Sequence, residues 1–78
     1  MIEAFIFITA EPESIDKLGS ELKKVKNVKC ICAITGEYDL IAKVSVETFP
    51  ELSNLIKKRL STLPGVRRIE TSIIMKTY

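Results

Sequence analysis

The sequence contains no histidine and no tryptophan among its 78 residues. Histidine is the side chain that most readily exchanges a proton near neutral pH, and it is the commonest metal ligand. Its absence excludes a Ser-His-Asp triad, a Cys-His dyad and every metal site that contains histidine. The remaining carboxylates, lysines, thiols and hydroxyls form no catalytic motif. The sequence therefore predicts a protein that is not an enzyme and that holds no metal and no cofactor.

Long apolar segments and a strong excess of one charge are also lacking. No apolar run exceeds the five residues of Ala4 to Ile8, whereas a membrane-spanning helix needs about 20. The N-terminus has neither a basic region nor a small-residue cleavage site, so we expect no signal peptide and a cytoplasmic location. Twelve basic and ten acidic residues leave a net charge of only +2, which argues against direct binding of nucleic acid. We expect no membrane partner either.

The first half of the chain predicts a strand, a helix and a second strand. The residues from Met1 to Thr9 favour a strand that ends before Pro12. A helix follows from about Pro12 to Asn27, with Ser14 as the N-cap. Its apolar positions recur at helical spacing and form one face, namely Ile15, Leu18, Leu22 and Val25. The next strand extends from Val28 to Thr35.

The second half predicts the complementary elements. Gly36-Glu37 fits a two-residue type II′ turn before a third strand from Tyr38 to Val46. A capping box of Thr48 and Glu51 begins the second helix. The apolar face of that helix comprises Phe49, Leu52, Leu55, Ile56, Leu60 and Leu63. Pro64-Gly65 ends it, and the last strand is predicted from Val66 to Tyr78.

This order is βαββαβ, which predicts a ferredoxin-like α+β plait in one domain, residues 1–78. Two helices would cover one face of a four-stranded antiparallel sheet and leave the other face uncovered. The strands are apolar on both faces, and an exposed apolar face is a candidate interface. We therefore predict a homodimer that packs sheet against sheet as a dimeric α/β barrel. The predicted interface residues are Phe5, Phe7, Ile34, Ile41 and Ile74.

A two-residue turn would also fix the register of the central hairpin. The side facing the helices would then carry Thr35, Ala33 and Ile31 opposite Tyr38, Leu40 and Ala42. The uncovered side would carry Ile34, Cys32 and Cys30 opposite Asp39, Ile41 and Lys43. A bulge of one residue would reverse this assignment.

Cys30 and Cys32 form a C-x-C pair, which is neither the C-x-x-C of a thioredoxin site nor a zinc knuckle. On a strand the two side chains share a face, with Cα atoms about 6.5–7 Å apart, at the limit of what a disulfide allows. We interpret them as two small buried thiols in a reducing compartment.

The segment from Thr35 to Ile41 is the most informative part of the sequence. Gly36 is explained by the turn alone, but Asp39 lies in a strand among apolar neighbours, where aspartate is disfavoured. A carboxylate at a subunit interface could hold an ammonium group, and backbone N–H groups at a turn could hold a carboxylate. Together these groups would suit a free amino acid.

The same segment, Ile34-Thr35-Gly36-Glu37-Tyr38-Asp39-Leu40-Ile41, resembles the C-terminal domain of the Lrp/AsnC family of transcription regulators. Leu63-Pro64-Gly65-Val66 and Glu70-Thr71-Ser72-Ile73-Ile74-Met75 extend the resemblance over essentially the whole chain. This domain is known as the regulation of amino-acid metabolism, or RAM, domain. The resemblance implies a ferredoxin-like fold, dimers that assemble into octamers or similar rings, and amino-acid effectors bound between dimers.

Carried over by position, the resemblance implies that Gly36 offers backbone groups to an effector carboxylate and that Asp39 faces its ammonium group. Thr35 and Tyr38 would line the site, and Thr71 would contribute a hydroxyl. The family often has a further threonine where this chain has Ile69. Because the chain starts directly at the first strand, we expect a stand-alone effector domain without a helix-turn-helix. Its partners would include full-length Lrp/AsnC regulators.

Two other functions remain open from the sequence. The hairpin could serve oligomerisation alone, so that the chain would be a structural module without a ligand. A small enzyme on a dimeric plait is the other alternative, although the absence of histidine counts against it. A screen of amino acids, read beside the assembly mass, would separate these hypotheses.

Overall fold

The computed structural model describes all residues, Met1–Tyr78, and its element order confirms the βαββαβ prediction. The strands are β1 (Ile2–Ala10), β2 (Val28–Ala33), β3 (Leu40–Val46) and β4 (Val66–Ile73), and the helices are α1 (Ile15–Lys23) and α2 (Phe49–Asn54). A 3₁₀ turn, Pro12–Ser14, leads into α1, and a π-helical segment, Leu55–Leu60, continues α2. No helix is both long and apolar enough to cross a bilayer.

The four strands form one antiparallel sheet in the order β2-β3-β1-β4. The even-numbered residues of β1 and β3 face the helices, and those from Ala4 to Ala10 and from Leu40 to Val46 are buried. Six helical and connecting side chains complete the core from above the sheet, namely Leu18, Leu22, Val25, Leu52, Leu55 and Leu60. The central pair β1–β3 therefore supplies one whole layer of the core, as the alternation in the sequence indicates.

The first helix has the predicted apolar face but different ends. Leu18, Leu22 and Val25 are buried, and Ile15 packs against them. Ser14 occupies the predicted N-cap position of α1, but its side chain makes no capping hydrogen bond. The helix ends at Lys23 rather than at Asn27. Asn27 instead donates a hydrogen bond from its side-chain amide to the carbonyl oxygen of Ser45, at 3.1 Å, which ties the connection to β3.

The second helix begins as predicted and then widens. The Thr48 hydroxyl accepts from the Glu51 N–H at 3.2 Å, while the Glu51 carboxylate accepts from the Glu47 N–H at 2.6 Å. From Leu55 the backbone is π-helical, and this wider turn lets Leu55 and Leu60 both enter the core although they are five residues apart. The prediction for Phe49 is wrong. Phe49 is 59% exposed because it lies in the first turn, before the helix reaches the core at Leu52.

The register of the β2–β3 hairpin is as predicted, but its connection is longer. Ala33 pairs with Leu40 and Ile31 with Ala42 on the side that faces the helices. The last backbone bond of the hairpin runs from the Ile34 N–H to the Asp39 carbonyl oxygen, at 2.9 Å. Residues 35–38 lie beyond this bond and outside both strands, so the predicted two-residue turn is wrong.

The last strand is shorter than predicted. β4 ends at Ile73, which pairs with Ala4, and one further backbone bond joins the Ile74 N–H to the Glu3 carbonyl oxygen at 2.9 Å. Pairing stops there because β1 begins at Ile2 and offers almost no backbone beyond Glu3. Residues 74–78 are therefore outside the strand, and Met75 is almost fully exposed.

The face of the sheet opposite the helices, here called the uncovered face, carries the odd-numbered residues of β1 and β3. Its apolar members are Phe5, Phe7, Cys30, Cys32, Ile34, Ile41 and Ile74. Both cysteines are exposed free thiols, so their interpretation as buried thiols is wrong. They lie two residues apart on the edge strand β2, so both side chains point to the uncovered face. The hydrogen bond with Cys30 raises the pKa of the Cys32 thiol.

Candidate functional site

The loop of the β2–β3 hairpin lies at the end of the sheet where β1 also ends. Gly36 has φ of +107°, a conformation that side chains with a Cβ atom adopt at a cost, so the loop requires glycine there. Thr35, Gly36 and Glu37 are exposed, while Tyr38 and Asp39 are half-buried. The loop therefore presents unpaired backbone groups to solvent above two side chains that the sheet holds in place.

The carboxylate of Asp39 is bonded to the sheet through one of its two oxygens. Its Oδ2 accepts from the Ala10 N–H at 2.8 Å, at the point where the pairing of β1 with β4 shifts register. The backbone N–H of Asp39 donates to the Ile8 carbonyl oxygen at 2.9 Å. This accounts for an aspartate immediately before β3, since its carboxylate satisfies an N–H that lies beyond the last β1–β3 pair, Ile8–Leu40. Oδ1 accepts no hydrogen bond from the chain, so its acceptor capacity is unused.

Tyr38 turns onto the uncovered face and packs on Phe7, with ring centroids 5.1 Å apart. Its hydroxyl donates to the Glu70 carboxylate, and the Arg68 guanidinium lies 5.7 Å from its ring centroid. The hydrogen bond to Glu70 raises the pKa of Tyr38, because the carboxylate stabilises the protonated phenol. Partial burial and the negative charges of Glu70 and Glu37 act in the same direction.

The position of Tyr38 corrects the sequence prediction, which placed it on the side of the sheet that faces the helices. The prediction assumed that the strand continues through Tyr38, whereas β3 begins only at Leu40. The contacts with Arg68 and Glu70 were missed for the same reason. The sequence held one indication of the Glu70 contact, since antiparallel pairing of β1 with β4 places Glu70 opposite Phe7 on the uncovered face.

Thr71 does not join the hairpin within one protomer. It pairs with Ile6 on the face that the helices cover, where it is half-buried. Asp39 and Tyr38 instead lie at the hairpin end of the sheet, and Tyr38 is on the opposite face. None of the clefts in the protomer is lined by residues 34–39 or by Thr71. The predicted site residues therefore form no closed pocket in a single chain.

The predicted interface residues do share one surface. Phe5, Phe7 and Ile41 occupy the middle of the uncovered face, and Ile34 and Ile74 lie toward its two ends. All five are half-buried rather than fully exposed. The charged neighbours partly shield the rings, since the Lys43 ammonium lies 6.0 Å from the Phe5 ring centroid.

The chain that forms this hairpin and sheet matches a known protein family. The profile of the family described as the Lrp/AsnC ligand binding domain matches residues 3–78, almost the whole chain. The chain belongs to the Lrp/AsnC family. The ferredoxin-like fold and the resemblance of the hairpin segment are thereby confirmed together.

The curated relatives of this Lrp/AsnC domain are longer transcription regulators. An uncharacterised helix-turn-helix-type transcriptional regulator of Pyrococcus abyssi is 36% identical over 73 residues, which cover 94% of this chain and 46% of the relative. A similar regulator of Pyrococcus horikoshii is 33% identical over the same shares of both chains. The chain thus spans about half the length of the curated relatives it matches, and the family is regulatory.

Solved structures share this fold. A crystal structure from Thermus thermophilus superposes with a TM-score of 0.95 at 31% identity, and covers 100% of this Lrp/AsnC domain and 98% of that chain. A feast or famine regulatory protein of M. tuberculosis, in complex with L-methionine, superposes with a TM-score of 0.86 at 26% identity. That superposition covers 100% of this chain and 52% of the other.

Proposed function

We propose that this Lrp/AsnC domain binds a free amino acid, or a closely related small molecule, at the loop of its β2–β3 hairpin. The observation that carries the proposal is the half-used carboxylate of Asp39 beneath the exposed loop at Gly36. One carboxylate oxygen is bonded to Ala10, and the other is available to an ammonium group through a charge-assisted hydrogen bond.

The exposed backbone of Thr35, Gly36 and Glu37 supplies the complementary half of the recognition. Unpaired N–H groups in a turn bind carboxylates, and the positive φ of Gly36 allows a close backbone approach. An α-amino acid carries both charges on one carbon. The complex of the M. tuberculosis relative with L-methionine supports an amino acid as the ligand class.

The ligand site is completed by a second protomer. The hairpin alone encloses no cleft, and Thr71 lies on the other face of the sheet. A second copy could bring its own Thr71, or another surface, against the loop. The protomers would dimerise through the uncovered face and assemble further into a ring of dimers such as an octamer. Ligand binding then depends on assembly, since the complete site exists only in the oligomer.

A regulatory role is supported by the relatives, which are transcription regulators. We propose that the domain reports amino-acid supply to such regulators by co-assembling with full-length family members. The bound amino acid would then act by changing the mixed assembly, and not by undergoing a reaction on the domain.

A thermal-shift screen of the purified chain against the standard amino acids, read beside light scattering, tests the proposal. A ligand at about 100 times its Kd adds about 2.7 kcal/mol of stability, and a domain of this size gains about 4–8 °C per kcal/mol. We therefore expect a clear rise in Tm with one or a few amino acids, methionine among the first to be tested. No shift with any of them, at a constant assembly mass, would instead favour a structural module.

The variant Asp39→Asn locates the site. Its amide oxygen can still accept from the Ala10 N–H, so the fold is retained, but the charge that holds the ammonium group is lost. We expect affinity for the amino acid to fall about tenfold or more, with the assembly mass unchanged, because a charge-assisted hydrogen bond is lost. The matched control is Glu37→Gln, which removes an exposed carboxylate from the same loop. Equal affinity in the wild-type chain and in Asp39→Asn would remove Asp39 from the site.

A further inference from the structure

A groove runs along the outer edge of the sheet, between α1 and β2. β2 is an edge strand, and the side chains of Ile31 and Ala33 lie on its helix side, opposite Ala42 and Leu40. The groove has a volume of about 260 Å³, near the lower end of the range for small-ligand pockets. Because these side chains point toward α1, packing of the uncovered face against a second sheet does not fill the groove.

Gly19 lies in the wall of the groove that α1 forms. A Cβ atom built there would meet nothing within 4 Å, and its φ is not positive, so neither packing nor backbone conformation requires glycine. Glycine in the interior of a helix is destabilising relative to alanine. The open space beside Gly19 therefore serves no contact within the chain, and it is wide enough to admit a side chain of a bound molecule.

The open edge of β2 offers backbone groups along the same groove. The Ile34 N–H donates to the Asp39 carbonyl oxygen, and bonding in an antiparallel pair alternates along the strand. Cys32 therefore bonds to β3 as well, whereas the N–H and C=O groups of Ile31 and Ala33 point away from β3. An extended peptide can pair with such an edge as an added strand.

Opposite charges stand at the two ends of the groove. Since α1 runs opposite to β2, Asp16 lies toward Ala33 and Lys23 toward Ile31, where Lys29 adds a second positive charge. Neither Asp16 nor Lys23 forms an ion pair within the chain. Their positions in α1 are separated by a rise of about 10.5 Å, and three residues of extended chain span about 10 Å.

We propose that this groove binds a short peptide with free termini, extended and antiparallel to β2. Its N-terminal ammonium group pairs with Asp16 and its C-terminal carboxylate with Lys23, which is the polarity that antiparallel pairing gives. In a tripeptide the first and third side chains face α1 and enter the space beside Gly19, while the second faces away. The peptide site shares no residue with the proposed amino-acid site, so either can fail without the other.

Isothermal titration calorimetry of the purified chain with the tripeptide Leu-Ser-Leu tests the proposal. Ser-Leu-Ser directs its one apolar side chain away from α1 and should bind about tenfold more weakly or not at all, because two apolar side chains stay in water. Leu-Ser-Leu with an acetylated N-terminus and an amidated C-terminus loses both charges. It should also bind about tenfold more weakly.

Variants of α1 locate the site. Gly19→Leu fills the groove and should abolish binding of Leu-Ser-Leu, with an unchanged circular dichroism spectrum because the added side chain points into open space. Asp16→Asn and Lys23→Gln should each weaken binding by about tenfold, since each removes one charged partner of the termini. The matched control is Lys17→Gln, which removes an exposed charge of α1 outside the groove and should bind as the wild type does.

Three outcomes would overturn the proposal. Failure of the wild-type chain to bind Leu-Ser-Leu at millimolar concentration would show that the groove takes no such peptide. Equal affinity for the free and the capped tripeptide would show that Asp16 and Lys23 do not recognise the termini. A lower assembly mass of Gly19→Leu by light scattering would assign the groove to a contact between copies of this chain.

Discussion

At the scale of single residues, Tyr38 shows how one side chain can link a loop to two strands. It follows the exposed loop, packs on Phe7 of β1 and donates a hydrogen bond to Glu70 of β4. Arg68 lies over its ring on the same strand as Glu70. These contacts hold the residue that follows the exposed loop against the sheet.

The raised pKa of Tyr38 predicts a specific loss of stability in alkali. Above about pH 10 the tyrosine of the unfolded chain loses its proton, whereas the folded chain retains it. The folded state then binds more protons than the unfolded state, so the free energy of unfolding falls as the pH rises. This contribution to the free energy of unfolding is fully present below about pH 10. It is lost as the pH rises through the raised pKa of Tyr38.

Urea denaturation between about pH 9 and about pH 11 measures this effect. The wild-type chain should lose stability more steeply than Tyr38→Phe, which has no phenol at this position and therefore serves as the baseline for every other group of the chain. If the free energy of unfolding falls equally with pH in both chains, the Glu70 contact does not retain the proton of the Tyr38 phenol.

At the scale of elements, Gly65 determines how β4 approaches the turn before α1. Its φ is +94°, and a Cβ atom built there would lie 2.4 Å from both Cβ and Oγ of Ser14. Its carbonyl oxygen accepts from the Glu11 N–H at 2.8 Å, and Arg67 forms an ion pair with Glu11 at 3.0 Å. The helix already ends at Leu60, so the predicted role of Pro64-Gly65 in ending it is wrong. The segment instead packs the two βαβ halves together.

The three glycines should respond differently to alanine. Gly65→Ala combines a disfavoured φ with a clash against Ser14, and should lower the free energy of unfolding by about 2–5 kcal/mol. Gly36→Ala has only the backbone strain and should cost about 1–2 kcal/mol. Gly19 lies within α1, and an added Cβ would meet nothing within 4 Å. Gly19→Ala should therefore stabilise the chain by about 0.5–1 kcal/mol.

Urea midpoints of the three variants, taken at one protein concentration, give this order directly. A wild-type midpoint for Gly65→Ala would contradict the close packing against Ser14. A loss of stability in Gly19→Ala would mean that a neighbour occupies the open space beside α1.

At the scale of the whole molecule, the uncovered face predicts association. Ile41 lies at its centre, between Phe7 of β1 and Cys32 of β2. A lysine at position 41 is solvated in a monomer. Between two packed sheets its ammonium group would be buried without an opposite charge. Ile41→Lys should therefore shift the chain from dimer or larger assembly to monomer by light scattering, with its circular dichroism spectrum unchanged.

Ile73→Lys is the matched control for that shift. Ile73 is a 43% exposed isoleucine at the end of β4, but it lies on the face that the helices cover. Its replacement should leave the assembly mass as in the wild type. Dissociation in both variants would indicate a general loss of structure, and dissociation in neither would exclude the uncovered face as the interface.

Much of this protein follows from the sequence by itself. The alternation of buried and outward-facing residues in β1 and the helical spacing of Leu18 and Leu22 determine which faces are buried. Burial of apolar side chains is the dominant favourable term in folding, and side-chain periodicity decides which of them share a face. The βαββαβ order follows from these periods and from the turn residues between them. The hairpin register also follows, because a shift by one residue would turn Leu40 and Ala42 away from the core.

Only the tertiary structure decided the parts that depend on neighbours distant in the sequence. The carboxylate of Asp39 bonds to Ala10, Tyr38 turns toward Glu70, and Gly65 packs on Ser14. Each contact joins segments that the chain brings together only when the sheet closes. The contact between the sulfur atoms of Cys30 and Cys32 could not be predicted from their spacing either. Periodicity specifies the face of a strand on which a side chain lies, but not its rotamer.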